Sequence, residues 1–444
     1  MKTFKRVLAL LILFVIGVAF FNYSKLNIIS GYAAKNMAST LYIAQRTEHS
    51  VNENDNRVPL IKMAETVYDE SSETVSASVF GLMERQAICR DGLGCALVLE
   101  DYEIKENYPK PNRQRVQRNV AFPYGDKDPR DTLLENVDYA KLKEALDDAF
   151  ALPDKQKTRT VLVLHKGQII AERYVEGFNK DTPILGWSMT KSVLATLYGI
   201  LEYRGGINVD QYRPFHNSEE ASKASISLNH LLRMQSGLAW EEDYTKISDV
   251  TLMLFLAADM TKPQENTEMI AAPTEVWNYS SGTSNMLSGI LREQFNNYQE
   301  YLDFPYEALI DKIGMHSMLI ETDLSGNFVG SSYGWASTRD WAKFGLLYLN
   351  RGNWNGEQIF DPSWVDYIQK PTEHSDDAYG AHFWLNAGGK YPDVPRDLFS
   401  ANGYQGQHVF IIPSKDLVVV RTGLAESPKF DANGFLAGIV AALR

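Results

Sequence analysis

Residues 186–200 read GWSMTKSVLATLYGI, a mostly apolar stretch that carries one charge, Lys191, three residues after Ser188. Met189, Val193, Leu194, Leu197, Ile200 and Leu201 leave little of such a helix free to face water, so Lys191 needs a partner or a function. In a helix beginning near Ser188, residues i and i+3 lie one above the other with Cβ atoms about 5–6 Å apart, which sets Ser188 and Lys191 face to face. A serine at a helix N-terminus stands where backbone N–H groups and the macrodipole favour developing negative charge. Desolvation lowers the pKa of an ammonium and leaves part of it neutral, able to act as a base. The pair is thus a candidate nucleophile and proton acceptor. The same spacing occurs at ordinary capped helix starts, and the apolar setting is what separates the two readings.

Working outward, NVDYAKLKEALDDAF (136–150) has the spacing of an amphipathic helix, and TVLVLHKGQIIAERYVEGF (160–178) reads as a β-hairpin turning at Lys166-Gly167. HVFIIPSKDLVVVRTG (408–423) repeats the hairpin pattern with its turn at Pro413–Asp416, and FLAGIVAAL (435–443) is a final apolar helix. Strands at both ends of this region with helices between predict an α+β fold, a mostly antiparallel sheet flanked by helices with a helical subdomain. The predicted organisation is a basic segment 1–6, an apolar segment 7–23, an extension and linker 24–131, and a main domain 132–444. The Pro- and charge-rich stretch 108–131 reads as a linker or wrapping arm.

GWSMTKS, followed by WNYSSGTSNMLSGIL (277–291) and FSANGYQGQHVFIIPSKDLVVVRTG (399–423), resembles the serine hydrolases related to class C β-lactamases, penicillin-binding proteins, family VIII carboxylesterases and 6-aminohexanoate-dimer hydrolase. SGLAWEEDY (236–244) and LLYLNRGNWNGEQI (346–359) are similar to the same family. The resemblance implies a β-lactamase/transpeptidase-like fold and an acyl-enzyme on Ser188, with Lys191 as proton acceptor or activator. Tyr279 matches the tyrosine of the second motif and would shuttle a proton, its pKa lowered by nearby positive charge. Tyr404, Gln405 and Gly406 would occupy the third motif on an edge strand, with Gly406 allowing close approach and the Gln407 N–H joining that of Ser188 as an oxyanion hole.

Two departures follow from the same comparison. The third residue of the second motif is Ser281 where the family often has asparagine, and Tyr404 stands where it usually has lysine or histidine. Both changes remove groups that meet a β-lactam, so the expected substrate is an ester or small amide. No cofactor or metal is implied, and the eight histidines show no metal-ligand spacing.

Two rivals use other features. Gly330-Ser331-Ser332-Tyr333-Gly334 formally matches Gly-x-Ser-x-Gly, with His374, His382 and His408 following, so an α/β-hydrolase with Ser332 as nucleophile is an alternative. It requires a strand before Ser332, a helix directly after it and a run of βα units, and the sequence supplies none of these. A catalytically silent exported binding protein of the same fold is the other alternative, and the set Ser188, Lys191 and Tyr279 argues against it. Trp187, Trp277, Tyr333, Trp335 and Trp384 lie near the motifs as pocket walls or core.

Composition bounds the rest. With 44% hydrophobic residues and 11% aromatics the chain builds a sizeable core, and a net charge of −12 with no basic block outside the extreme N-terminus argues against nucleic acid as a partner. Lys2, Lys5 and Arg6 precede the apolar run Val7–Tyr23, which reads as an export signal, either an anchor facing the periplasm or a cleaved peptide. Cys89 and Cys95 fit a small disulfide loop or a pair of free thiols.

Overall fold

In the computed structural model the described residues are 2–99, 102–105, 107–130 and 133–444. They form two compact units. Unit one holds residues 1–90, 94–106 and 243–258, and unit two holds 91–93, 107–242 and 259–444.

Unit one is built on helix α1 (Lys2–Tyr42) and a four-stranded antiparallel sheet of β1 (Ala64–Asp69), β2 (Thr74–Val79), β3 (Leu82–Arg90) and β4 (Gly94–Leu97) in that spatial order. Ala33, Ala34, Met37 and Ala38 of α1 are buried together with Val75, Ala77, Ala87 and Ile88 of the sheet. Cys89 and Cys95 pair across β3 and β4 and are disulfide-bonded. Among the described residues no helix is long and apolar enough to cross a membrane, so the membrane anchor expected at 7–23 gains no support; most side chains of that run lie outside those described.

Unit two holds a six-stranded sheet of β5 (Thr158–His165), β6 (Gln168–Tyr174), β7 (Trp384–Leu385), β8 (Phe399–Gly403), β9 (Gln407–Ile412) and β10 (Leu417–Gly423). Its spatial order is β7-β8-β9-β10-β5-β6, every pair antiparallel. The hairpins turn where the sequence predicts, at Lys166-Gly167 with φ of 50° and 69°, and through Pro413–Lys415. Alternate residues of one strand point to opposite faces, and here both faces are covered. Val161, Val163, Phe410 and Val419 are buried with Leu142 and Leu146 of α2 (Tyr139–Phe150) and with Leu436 and Ile439, which lie on the last helix. Leu162, Leu164, Val409, Ile411 and Val418 face the larger core, which includes α3 (Met189–Tyr203), α4 (Ser281–Arg292) and α5 (Thr338–Leu349). The last helix is α6 (Ala432–Ala441).

The segment 107–130, most of the stretch read from the sequence as a linker or wrapping arm, lies in unit two. Arg113 donates to both carboxylate oxygens of Asp311 and to the Met318 carbonyl, Asn112 bonds Asp303, and Phe122 is buried. Charge-assisted bidentate bonds of this kind hold an irregular segment that has few ladder bonds of its own.

Candidate active site

The loop that carries Ser188, the predicted nucleophile, is fixed by hydrogen bonds on either side of it. Gly186 N–H donates to the Gly334 carbonyl at 2.8 Å, Thr190 Oγ1 donates to the Trp187 carbonyl at 2.7 Å, and Gly334 N–H donates to Thr190 Oγ1 at 2.9 Å. Trp187 is held at φ 48°, a left-handed conformation that a large side chain rarely takes and that costs about 1–3 kcal/mol. Ser188 then caps α3 with φ −64° and ψ −6°. The strained residue therefore immediately precedes the predicted nucleophile, at the positive end of a 15-residue helix.

Lys191 is 1% exposed. Its Nζ lies 3.0 Å from Ser188 Oγ, 2.9 Å from Ser281 Oγ and 2.9 Å from the Ser331 carbonyl oxygen. No ion pair to Lys191 occurs among the described residues. Burial pushes its pKa from 10.5 down to about 8, against a smaller upward pull from the Glu242 charge. At such a pKa a fraction of Lys191 is neutral near physiological pH.

Tyr279 lies just before α4, with its ring 5.0 Å below Lys191 Nζ. The expected lowering of its pKa is reversed. Burial raises it well above 10, Glu242 raises it further, and a hydrogen bond with Ser188 pulls the other way. The physical reason is that the phenol is enclosed and lies near the Glu242 charge, both of which disfavour the phenolate. Tyr279 is therefore a neutral hydroxyl that can give a proton, and Ser188 is met by Lys191 and Tyr279 together.

Ser281 begins α4 and joins Lys191 to a residue that the motif comparison did not single out. Its Oγ donates to Glu242 Oε1 at 2.5 Å and its backbone N–H donates to Glu242 Oε2 at 2.8 Å, while Trp240 Nε1 donates to Oε2 at 2.6 Å. Glu242 lies in SGLAWEEDY, a stretch with no periodicity to mark it; the signal available was an acidic residue in a segment already matched to the family.

The third motif sits differently from its expected place. Residues 404–406 form the turn between β8 and β9, with β7 and β8 beyond them, and not part of an edge strand. Gln405 and Gly406 have φ of 62° and 81°. Arg421 is fully buried and donates to the Gly406 and Ala425 carbonyls at 2.7 and 2.8 Å and to the Gln156 carbonyl at 2.6 Å. Gln407 is buried, and its side-chain amide exchanges hydrogen bonds with Gly423. The backbone that reaches the Ser188 loop is Gly403, where a Cβ would stand 2.0 Å from the Gly186 carbonyl oxygen. Next to it, the Tyr404 ring meets the Trp187 ring edge-on at 5.5 Å.

The aromatic residues divide. Trp277, Tyr279, Tyr379 and Trp384 form one cluster, with Tyr279 and Trp384 centroids 5.3 Å apart, and Lys390 Nζ lies 5.3 Å from the Trp384 centroid. Trp335 is core, donating through Nε1 to Glu321. Tyr333 is buried against Trp187.

The rival nucleophile fails on geometry. Ser332 is buried with its Oγ 2.8 Å from Ser331 Oγ, it precedes the short strand Gly334–Ala336, and the surrounding sheet is antiparallel. None of the three histidines is hydrogen-bonded to it among the described residues. His408 Nδ1 faces Asn402 Oδ1, and His382 is bonded between Ser284 Oγ and the Leu232 carbonyl, where burial takes its pKa from 6.5 to about 3.

An antiparallel sheet covered by helices, with a serine at a helix N-terminus and a buried lysine one turn on, is the architecture expected of a serine hydrolase. Residues 151–434 match the family model described as Beta-lactamase, and the chain belongs to that family. It is 24% identical over 305 residues to 6-aminohexanoate-dimer hydrolase of Paenarthrobacter ureafaciens, covering 63% of this chain and 73% of that one. Its fold is similar to a family VIII carboxylesterase, with TM-score 0.56, 15% identity and coverage of 71% of this chain and 99% of the other. A penicillin-binding protein homologue from Caulobacter crescentus gives TM-score 0.55 at 14% identity, with the same coverage of 71% and 99%.

Proposed function

We propose that this chain hydrolyses an ester or small amide through an acyl-enzyme on Ser188. The observation that carries the reading is Lys191, buried, without an ion pair among the described residues, and 3.0 Å from the Ser188 hydroxyl oxygen. Ser188 attacks the substrate carbonyl as its proton passes to Lys191, and the oxyanion is met by the Ser188 N–H at the N-terminus of α3. A second backbone donor comes from the segment that follows β8. The sequence places that donor at Gln407, whereas the approach of Gly403 to Gly186 favours the Tyr404 N–H. Neutral Tyr279 protonates the leaving group, and water then releases the acid with the same groups acting in reverse. Ser281 and Tyr404, in place of an amide and a basic group, favour an ester or small amide over a β-lactam.

The test is labelling of the purified chain with a fluorophosphonate probe, alongside hydrolysis of p-nitrophenyl esters, nitrocefin and D-amino-acid amides. Wild type and Ser332→Ala are expected to be labelled and active, and Ser188→Ala neither. Labelling that survives in Ser188→Ala and is lost in Ser332→Ala overturns the assignment.

We also propose that the chain works outside the cytoplasm, either held at the inner membrane facing the periplasm or released by cleavage. Lys2, Lys5 and Arg6 before the apolar run 7–23 support this, as does a disulfide between Cys89 and Cys95, a bond rare in reducing compartments. Fractionation of cells, with the mature N-terminus determined by mass spectrometry, distinguishes the two forms; recovery in the cytosol overturns both.

A further inference from the structure

Neutral lysine has two N–H donors and one lone pair, so the chemistry of Lys191 depends on which of its three neighbours faces the lone pair. The Ser331 carbonyl can only accept. Ser281 could donate or accept, and its hydroxyl is the one adjustable element. Glu242 removes the choice. Its carboxylate is an acceptor only, it takes the Ser281 Oγ–H at 2.5 Å, and it is held in place by Ser281 N–H and Trp240 Nε1. With its proton directed at Glu242, Ser281 offers a lone pair to Lys191 at 2.9 Å. Both N–H bonds of neutral Lys191 are then taken, by Ser281 and by Ser331, and the remaining direction runs to Ser188 Oγ, the one neighbour with a proton to give.

We propose that Glu242 is a positioning residue that sets the direction of the Ser281 hydroxyl and thereby aims the lone pair of Lys191 at Ser188. The proposal rests on the serine-hydrolase reading and deepens it. Glu242 acts through Ser281, whose hydroxyl and backbone N–H both donate to its carboxylate. It also sits at the first turn of α4, where a carboxylate accepting the free N–H of the first helical residue is favoured by the helix dipole. Among the described residues the ionisable groups facing Lys191 are Glu242, the Tyr279 phenol and, from the segment before β7, His382, which the Lys191 charge pushes further toward neutrality.

The experiment uses the full chain labelled with 13Cε-lysine, with the Lys191 resonance assigned by its loss in Lys191→Met. Titration of Glu242→Gln is expected to place the Lys191 midpoint lower than in wild type by on the order of one pH unit, because an attractive charge has been removed. In parallel, kcat for ester hydrolysis is expected to fall on the order of tenfold to a hundredfold in Glu242→Gln and in Ser281→Ala, with no further loss in the double variant, since both break one relay. An unmoved midpoint, or losses that multiply in the double variant, overturns the proposal. Ser281→Ala keeps it falsifiable where Glu242→Gln does not fold. Absence of Ser188 acylation in wild type, with Lys191 titrating as described, overturns the hydrolase reading instead.

Discussion

Gly403 and Gly186 lie backbone to backbone, so closely that a methyl group on residue 403 would stand 2.0 Å from the Gly186 carbonyl oxygen. Gly186 is two residues before Ser188 and Gly403 ends β8, so this contact registers the sheet against the N-terminus of α3. Gly403→Ala must open that contact and draw the 404–407 turn away from Ser188. The expected result is a drop in kcat of about a hundredfold, the size of losing one oxyanion donor, with KM changed far less. Steady-state kinetics on a p-nitrophenyl ester, with circular dichroism to verify folding, measures it; unchanged kcat means that the contact does not register the site.

That contact also shows where reading the sequence stops. Ser188 and Lys191 were legible because their relation is local, three residues apart in a helix whose apolar residues declare its burial. In SANGYQGQ two glycines, Gly403 and Gly406, stand three residues apart, and both fit a motif that ends in glycine. Only the strand register, with Gly403 paired to Gln407 at the end of the hairpin, tells them apart. Glu242 reaches Ser281 across 39 residues of chain, a tertiary relation that no spacing rule encodes. The sheet of unit one went unread for a different reason. Its first strand, AETVYD, is nowhere buried, so it lacks the apolar alternation that reveals a half-buried strand.

The pH profile is expected to follow Lys191. Its pKa lies near 8 in the folded chain, and only the neutral form accepts the Ser188 proton, so kcat/KM should rise about tenfold per unit up to pH 8 and level off above it. Lys191→Arg cannot deprotonate in this range and is expected to lose activity by at least about a thousandfold at every pH. A wild-type profile flat from pH 6 to 9 contradicts the role of Lys191 as base.

Tyr279 is expected to leave that profile unshaped. Its hydroxyl stays protonated beyond pH 10 because burial and Glu242 both disfavour the phenolate. Tyr279→Phe should therefore lower kcat by about a hundredfold to ten-thousandfold through loss of a proton donor, while the acid limb near pH 8 keeps its position. A limb that vanishes in Tyr279→Phe assigns the titration to the phenol instead.

The same lysine makes a stability prediction whose sign follows from linkage. Lys191 titrates near 8 in the folded state and near 10.5 unfolded, so between those values the unfolded chain binds more protons and stability rises with pH. Below about pH 8 the folded state carries the full cost of a buried ammonium, and above about pH 10.5 that cost is gone. A shift of this size corresponds to roughly 3 kcal/mol. Lys191→Met has no such titration, although it also loses the bonds to Ser281 and Ser331, a difference that does not vary with pH. Urea unfolding of both proteins at pH 7, 8, 9 and 10 should therefore show wild type gaining on Lys191→Met as pH rises. A constant difference across that range means that Lys191 is not held near neutrality by burial.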